Sequence, residues 1–281
     1  MPSNSSSLEN QIQFLQKNNL QKYIDLQNSF YCGDAAGRKE NKNLKLKKDF
    51  SSSDYKFATN LNLKFLTPEN LFLKDYSRKV EKISKIVEFD PRKKIENDDN
   101  SEIQLVKSKF ILLAGIQGSG KTTLALYLKN RYENEKNETC LILNQDQLKT
   151  KAKIIFEIKR QATNYDHIII DRTHGKINDR KEIIEAATAA AVATGSNSNS
   201  TLISCYFLSI SKEMTDHNLF YRKIIEPNSE AGEISSITVA TTRKYFTDPE
   251  KSEGFEKVIR LKDDECIFQR PKSAYYNYFL V

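Results

Sequence analysis

The sequence predicts an α/β fold over residues 105–265, in which helices flank a central parallel sheet. Three observations predict it. Short, mostly apolar runs alternate with helix-like stretches through this range, a glycine-rich turn follows the first run, and Asp171 follows the third. Strands that are apolar without interruption are typical of parallel sheets covered on both faces, and the alternating helices supply that cover. We therefore expect ligands to bind at the carboxyl edge of the sheet.

The individual elements follow from this alternation. Continuous apolar runs predict strands, and apolar residues spaced three and four apart predict helices. Ser211 and Gly195 add capping signals at helix ends. The predicted strands are 110–114, 139–143, 167–170, 201–210 and 257–261, and the predicted helices are 121–132, 147–162, 178–194, 211–225 and 236–247.

Residues 1–104 read as a separate segment that is mostly helical or partly disordered. Residues 8–28 have the spacing of a weak amphipathic helix. Thr67 followed by proline predicts the start of a second helix, which continues to about Val87. No motif in this segment indicates a function, and residues 266–281 form a C-terminal extension.

Composition excludes several classes of protein. The 281 residues carry 44 Lys and Arg against 37 Asp and Glu, a net charge of +7 that permits a polyanionic partner without requiring one. No apolar stretch approaches the ~18 residues of a membrane-spanning helix, and the N-terminus lacks the pattern of a signal peptide. The four cysteines have no C-x-x-C spacing, which argues against zinc sites and disulfides. We expect an intracellular protein, cytoplasmic or nuclear.

The strand at 110–114 runs into the pattern G-x-x-x-x-G-K-T, which is the phosphate-binding P-loop in its strand–turn–helix context. Its glycines permit a tight turn whose backbone N–H groups point at phosphate oxygens, and the following helix adds its positive end. Lys121 would reach the β- and γ-phosphates of a nucleoside triphosphate. The predicted nucleotide-binding residues are Gly115, Gln117, Gly118, Ser119, Gly120, Lys121, Thr122 and Thr123.

Two carboxylates complete the predicted site. Asp171 ends an apolar strand at the edge where P-loop proteins hold their metal, so Thr122 and Asp171 are the predicted Mg²⁺ ligands. Asp146 follows the strand at 139–143, which we expect beside the P-loop strand, and could deprotonate an attacking hydroxyl. The sequence has no N-K-x-D motif of the Ras type, and the length of the domain suits a small kinase.

Four segments occur in a fixed order: G-I-Q-G-S-G-K-T-T, L-N-Q-D-Q-L-K, I-I-I-D-R-T-H-G-K-I-N-D-R and Y-F-T-D-P-E-K-S-E-G-F-E-K-V-I-R-L. Together they resemble the polynucleotide 5′-hydroxyl kinase family over roughly residues 108–262. That family includes the kinase domains of DNA-repair polynucleotide kinases, phage end-healing kinases and fungal tRNA ligases. The resemblance implies a P-loop kinase that transfers the γ-phosphate of ATP or GTP, with Mg²⁺, to a 5′-hydroxyl end of DNA or RNA. It also implies that Asp146 is the general base.

The resemblance implies roles for further residues. A basic residue three positions after the base grips a substrate phosphate in the family; here it is Lys149, where arginine is more usual, so a bidentate grip is not available. Arg222 is the first choice for the lid arginine that contacts the transferring phosphates, and Arg243 is the second. His174 stands where several members have asparagine. The implied catalytic residues are Lys121, Asp146 and Arg222, and the implied substrate-binding residues are Lys149, Arg172, Thr173 and Arg180.

The sequence departs from the family in a further respect, and two other interpretations stay open. The D-x-D-x-T signature of the phosphatase that several members carry is absent, so we expect a kinase-only chain whose partners are nucleic-acid 5′ ends and not a membrane. The first alternative is a P-loop kinase for a small metabolite or sugar nucleotide, as in the zeta-toxin group. The second is a nucleotide-binding scaffold without transferase activity that works through residues 1–104. The basic runs at 45–48 and 92–94 fit solvated surface better than nucleic-acid contacts.

Overall fold

The structure, a computed structural model, describes residues 17, 25, 27–40, 47–73, 103–193, 203–225, 234–265 and 273–276. The chain divides into two compact units. The first unit comprises residues 1–90 and 277–281, and the second comprises residues 91–276.

The first unit contains a short parallel strand pair that the sequence did not indicate. Its elements are β1 (Phe30–Cys32), α1 (Ser53–Asn60), β2 (Lys64–Leu66) and α2 (Pro68–Phe72). Tyr31 of β1 lies opposite Phe65 of β2, and its ring contacts Phe57 of α1 with centroids 5.1 Å apart. These aromatic contacts hold α1 against the strand pair.

Helix α2 begins where the sequence predicts but is shorter. Thr67 caps it by accepting a backbone hydrogen bond, with proline at the first helical position. The helix ends at Phe72, because Leu73 has an extended backbone with φ −107° and ψ 98°. Leu73 is therefore not helical, contrary to the prediction, and the rest of the predicted helix, to about Val87, lies outside the described residues. Most of the predicted helix at 8–28 lies outside the described residues.

The second unit has the predicted alternation of strands and helices. Its elements, in order, are β3 (Phe110–Ala114), α3 (Lys121–Glu135), β4 (Cys140–Asn144), α4 (Gln145–Leu148), α5 (Lys151–Gln161), β5 (His167–Asp171), α6 (Ile177–Ala193), β6 (Ile203–Leu208), α7 (Lys212–Ile225), α8 (Ser236–Tyr245), a 3₁₀ turn (Lys251–Glu253), β7 (Val258–Leu261) and a second 3₁₀ turn (Ser273–Tyr276).

The five strands of this unit form one sheet in the order β4-β5-β3-β6-β7, and every neighbouring pair is parallel. The predicted fold class is confirmed. One expectation is wrong: β4 does not lie beside the P-loop strand β3 but at the edge of the sheet, next to β5. Its carboxyl end still reaches the P-loop side of the sheet, because Asn144 lies in register opposite Asp171.

The core of the second unit lies against a sheet that is buried on both faces. Every residue of β3 and of β5 is buried. Leu112 and Ile170 from these strands belong to one hydrophobic cluster, which also contains Ile154 of α5 and Ile183 of α6. Burying each such side chain contributes roughly 1.5–3 kcal/mol. The cluster therefore fixes the carboxyl edge of the sheet on which the candidate site is built.

The predicted helix at 147–162 is divided in two at Lys149, which has a positive φ of 64°. Asn144 caps the first part, α4, because its side chain accepts hydrogen bonds from two backbone N–H groups, one of them that of Asp146. Thr150 caps α5 in the same way. Asp146 is consequently held on a one-turn helix directly at the end of β4.

Among the residues that the structure describes, no helix has the length and apolar character needed to span a membrane.

Candidate active site

The P-loop joins β3 to α3 and depends on two glycines with positive φ, Gly118 at 78° and Gly120 at 91°. L-amino acids with side chains rarely adopt this conformation. A Cβ on Gly118 would also lie 2.5 Å from the Thr215 carbonyl oxygen of α7. The backbone conformation of the loop therefore requires glycine at both positions. Gly118 is required for a second reason, because α7 leaves no space for a side chain there.

Lys121, the first residue of α3, turns back over the loop. Its Nζ donates hydrogen bonds of 2.8 Å to the carbonyl oxygens of Gly115 and Ile116. Burial lowers the pKa of Lys121 to about 8, although the charges of Asp171 and Asp146 oppose this shift. The ammonium therefore lies between the loop and two carboxylates, where it can meet phosphate oxygens.

Thr122 and Asp171, the metal ligands predicted from the sequence, are in direct contact. The Thr122 Oγ1 donates to Asp171 Oδ2 at 2.8 Å, and the Asn144 Nδ2 donates to the same oxygen at 2.7 Å. A hydroxyl and a carboxylate are hard oxygen ligands of the kind that Mg²⁺ prefers, together with substrate phosphates and water. The residues present fit this ion, and Thr122 with Asp171 would hold it.

Asp146 is exposed on α4 and lines the same cavity as the P-loop. Its backbone is fixed by the Asn144 cap at 2.8 Å. Asn144 thus contacts both acids, because its Nδ2 donates to Asp171 while its Oδ1 accepts from the Asp146 backbone. The Asn144 side chain, at the end of β4, therefore fixes the positions of Asp146 and Asp171 relative to each other.

A cavity of about 510 Å³ brings most of the predicted residues together. Gly115 and Ser119 are not among its lining residues; both are buried and build the loop from within. The predicted residues that line it are Gln117, Gly118, Gly120, Lys121, Thr122, Thr123, Asp146, Asp171, Arg172, Thr173 and Arg222.

Arg172 and Thr173 reach the cavity from the loop after β5. The Thr173 carbonyl accepts a hydrogen bond from the Gly115 backbone N–H at 3.1 Å, which fastens this loop to the P-loop. Arg172 Nη1 lies 3.8 Å from Asp179 Oδ1, a separation that leaves the guanidinium only loosely paired. It can therefore turn toward an anion in the cavity.

The two candidate lid arginines differ in position. Arg222, on α7, lines the cavity, and its positive charge contributes to lowering the pKa of Lys121. Arg243, on α8, does not line it, because its Nη2 donates to Thr215 Oγ1 and to Asp216 Oδ1, both at 2.6 Å. Arg243 therefore joins α8 to α7. Of the two lid candidates, Arg222 is the one that lines the cavity.

The substrate-binding role predicted for Arg180 is contradicted by its position. Its side chain is fully buried, with 0% exposure, and it forms an ion pair with Glu253 at 2.7 Å. Its remaining donors reach the backbone carbonyls of His174 at 3.0 Å and Thr247 at 2.8 Å. The guanidinium is thus occupied inside the protein, and no part of it can meet a substrate.

Lys149 is exposed at the carboxyl end of α4 and is not among the cavity residues. Its backbone N–H bonds to the Gln145 carbonyl at 2.8 Å, and the Gln145 amide donates to the Lys149 carbonyl at 2.7 Å. The turn is therefore fixed at the backbone, and phosphate binding by the side chain stays a prediction.

His174 is buried, with 1% exposure and a positive φ of 47°. Its Nδ1 lies 2.9 Å from the Leu113 carbonyl, so Nδ1 carries the proton and donates it to that oxygen. Burial lowers the pKa of His174 to about 3, which leaves the ring neutral. His174 therefore holds the loop after β5 against the end of β3.

Several residues of the cavity wall were not predicted from the sequence, among them Asn218 and Tyr275. The Tyr275 hydroxyl donates to Asn218 Oδ1 at 2.8 Å, and the Asn218 Nδ2 donates to the Gly118 carbonyl at 2.8 Å. Neither carries a sequence signal, because only the packing of α7 over the P-loop brings Asn218 to Gly118. Tyr275, which belongs to the predicted C-terminal extension, lines this cavity.

The fold and this cavity combine a parallel sheet with a phosphate-binding P-loop at its carboxyl edge. Residues 10–72 match the family described as polynucleotide kinase 3 phosphatase, and residues 93–168 match the family described as zeta toxin. The second match contains the P-loop and Asp146. The first covers a segment in which the sequence indicated no motif.

Two curated relatives extend over most of the chain. A putative bifunctional polynucleotide phosphatase/kinase of Acanthamoeba polyphaga mimivirus is 28% identical over 261 residues, 87% of this chain and 58% of the relative. A bifunctional polynucleotide phosphatase/kinase of Schizosaccharomyces pombe is 30% identical over 241 residues, 84% of this chain and 51% of the relative. The chain thus spans about half the length of the curated relatives it matches. The predicted resemblance to polynucleotide kinases is confirmed as a sequence relationship.

Among solved structures, Chaetomium thermophilum Kti12 in complex with ADP-AlF3 is 15% identical to this chain, with a TM-score of 0.46. The match covers 59% of this chain and 93% of that chain.

Proposed function

We propose that this protein transfers the γ-phosphoryl group of a nucleoside triphosphate to the 5′-hydroxyl of a polynucleotide. One observation carries the proposal: Asp146 lines the same cavity as Lys121 of the P-loop and the Thr122–Asp171 pair. A general base, a phosphate-binding lysine and a metal-binding pair are what an in-line phosphoryl transfer to an alcohol requires.

In the proposed reaction, the triphosphate lies against the P-loop N–H groups and Lys121. The acceptor hydroxyl lies at Asp146, whose carboxylate takes its proton as the oxygen attacks the γ-phosphorus. The bond between the γ-phosphorus and the oxygen bridging to the β-phosphate breaks, and the nucleoside diphosphate leaves. Arg222 approaches from α7 and stabilises the negative charge on the phosphoryl oxygens. Thr122 and Asp171 would hold Mg²⁺, which would supply positive charge to neutralise the phosphates. Catalysis is then positioning and charge stabilisation.

The acceptor side of the cavity is supplied by Arg172 and Thr173. A guanidinium at this place suits a phosphodiester, since its planar fork can bind two phosphate oxygens at once. We propose that Arg172 binds the phosphate that follows the acceptor nucleotide, with Lys149 as a more exposed second contact. The names of the curated relatives, which act on polynucleotides, support this choice of acceptor.

The match to the zeta toxin family favours one alternative, a kinase for a small acceptor such as a sugar nucleotide. An acceptor panel separates the two. The protein is incubated with γ-labelled ATP or GTP, Mg²⁺, and 5′-hydroxyl DNA, RNA, nucleoside 3′-monophosphates or sugar nucleotides. Label on the oligonucleotides supports the proposal, and label confined to sugar nucleotides contradicts it. Triphosphate binding without any transfer would favour a scaffold.

We further propose that the first unit is related to a 3′-phosphatase domain, because the segment matched at 10–72 falls within that unit. The D-x-D-x-T signature does not occur in the sequence. We therefore expect this chain by itself to leave a 3′-phosphorylated oligonucleotide unchanged. Release of inorganic phosphate from that substrate would contradict this part of the proposal.

A further inference from the structure

Tyr245, at the end of α8, presents an aromatic ring to solvent between two lysines. Its side chain is 55% exposed. The Lys244 Nζ lies 5.2 Å from the ring centroid and the Lys176 Nζ lies 5.9 Å from it. An exposed ring with flanking ammonium groups is the combination with which proteins bind single-stranded nucleic acid, stacking a base on the ring and pairing phosphates with the cations.

Helix α8 connects this ring to the active-site cavity. Thr238 lines the cavity, and Tyr245 follows it by seven residues, which is close to two full turns. The two side chains therefore project from the same face of the helix, about 10 Å apart along its axis at 1.5 Å per residue. Between them, Thr242 accepts a hydrogen bond from the P-loop Gln117 amide at 3.2 Å, which fixes this face toward the cavity.

The loop after β5 makes a second connection along the same path. Arg172 and Thr173 line the cavity, and Lys176 follows them at the ring of Tyr245. The Thr247 N–H donates to the Gly175 carbonyl at 2.8 Å, so the loop and the residues after α8 are joined where the ring lies. Helix and loop thus run side by side from the cavity to Tyr245.

We infer that Tyr245, Lys176 and Lys244 bind the single strand that adjoins the 5′ end held in the cavity, an inference that rests on the proposed function. A base of the strand that leaves the cavity stacks on Tyr245, and the phosphates beside it meet the two ammonium groups. An exposed cation–π contact is weaker than base stacking, so a base displaces a lysine from the ring.

The test compares Tyr245→Ala with Phe156→Ala in the full chain. Phe156 is a matched control, since it is 61% exposed on α5 and does not line the cavity. Binding of a 3′-fluorescein 12-mer with a 5′-hydroxyl is followed by anisotropy, and phosphorylation of the 12-mer and of a nucleoside 3′-monophosphate is followed with labelled ATP. We expect Tyr245→Ala to weaken 12-mer binding and raise its KM about tenfold, without changing kcat or the KM of the monophosphate. Tyr245→Phe retains binding.

Lys176 and Lys244 are tested separately, through the salt dependence of 12-mer binding. The logarithm of the 12-mer affinity falls linearly with the logarithm of salt concentration, and we expect Lys176→Ala and Lys244→Ala each to reduce that slope by about one. A slope unchanged in both variants would overturn their role.

The failure of this inference is distinguishable from failure of the proposed function. If Tyr245→Ala and Phe156→Ala bind the 12-mer equally, or if Tyr245→Ala raises the KM of the monophosphate as much as that of the 12-mer, the surface is not a strand-binding site. If the 12-mer binds in a Tyr245-dependent manner and no acceptor is phosphorylated, the surface stands and the kinase proposal falls.

Discussion

At the scale of single residues, the protonation of Lys121 couples nucleotide binding to pH. Burial lowers its pKa to about 8 in the unbound protein, and bound phosphates would hold the proton more tightly. The affinity for ATP is therefore fully present below pH 8 and is lost as pH rises through that value. We expect the Kd for ATP to increase about tenfold between pH 7 and pH 9, measured by titration calorimetry.

Lys121→Arg is the control for this dependence, because its guanidinium stays charged throughout the range. Its Kd should be flat between pH 7 and pH 9, whatever its absolute value. A flat profile for the wild-type protein would contradict the account of Lys121.

His174 makes the folding stability of the protein depend on pH, and its contribution is lost at low pH. Burial lowers its pKa from 6.5 to about 3, so the unfolded chain binds one proton more than the folded one between these values. Stability is present above pH 6.5 and is lost as pH falls. At pH 5 the loss from this group is about 2 kcal/mol.

We expect His174→Asn to fold, because asparagine tolerates the positive φ of 47° and its amide can donate to the Leu113 carbonyl. The difference in free energy of unfolding between pH 7 and pH 5, from urea titrations, should shrink by about 2 kcal/mol in this variant. An unchanged difference would show that His174 does not titrate on unfolding.

At the scale of secondary-structure elements, Arg180 joins parts of the chain that are far apart in sequence. It lies in α6 and pairs with Glu253, 73 residues later, in the 3₁₀ turn before β7. Its bond to the His174 carbonyl ties the same turn to the loop that carries Arg172 and Thr173. A buried pair of this kind positions the active-site loop without contacting the substrate.

Removing one partner of the pair leaves a buried charge unpaired. We expect Arg180→Met to lower the free energy of unfolding by about 3–5 kcal/mol, and Arg180→Met with Glu253→Met to recover much of that loss. Urea unfolding of both variants measures the effect. Equal loss in the single and double variants would show that the ion pair is not what holds these elements together.

The sequence predicted the strands of the second unit well, because buried parallel strands are apolar without interruption and need no tertiary information to be found. It could not predict their order. The placement of β4 at the edge depends on how α3 and α5 cross the sheet, and no local pattern records this. The break at Lys149 was missed for a related reason, since the residues on both sides have ordinary helix propensity and only the caps Asn144 and Thr150 mark two helices.

The candidate site was predictable to the extent that its chemistry is local. The P-loop, Asp146 and Asp171 follow individual strands, and the register of β3, β4 and β5 brings them to one edge. Arg180 was assigned wrongly because a motif position does not reveal that its partner, Glu253, is supplied from elsewhere in the chain. Asn218 and Tyr275 depend on helix packing in the same way.

At the scale of the whole molecule, the residues that line the cavity all belong to the second unit, between Gln117 and Tyr275. We therefore expect a fragment of residues 91–276 to retain phosphotransfer to a 5′-hydroxyl oligonucleotide with kcat and KM within a few-fold of the full chain. Circular dichroism establishes that the fragment is folded. A folded fragment that binds ATP but transfers no phosphate would show that the first unit contributes to the reaction.

The central claim is that Asp146 is the base of a kinase built on this P-loop. The most direct measurement compares Asp146→Asn with Asp264→Asn, the same change at an exposed site that does not line the cavity. Transfer of labelled γ-phosphate from ATP to a 5′-hydroxyl oligonucleotide is measured alongside ATP affinity. We expect Asp146→Asn to lower kcat by about 10²–10⁴-fold with ATP affinity retained, and Asp264→Asn to behave as wild type. Wild-type transfer by Asp146→Asn would contradict the assignment.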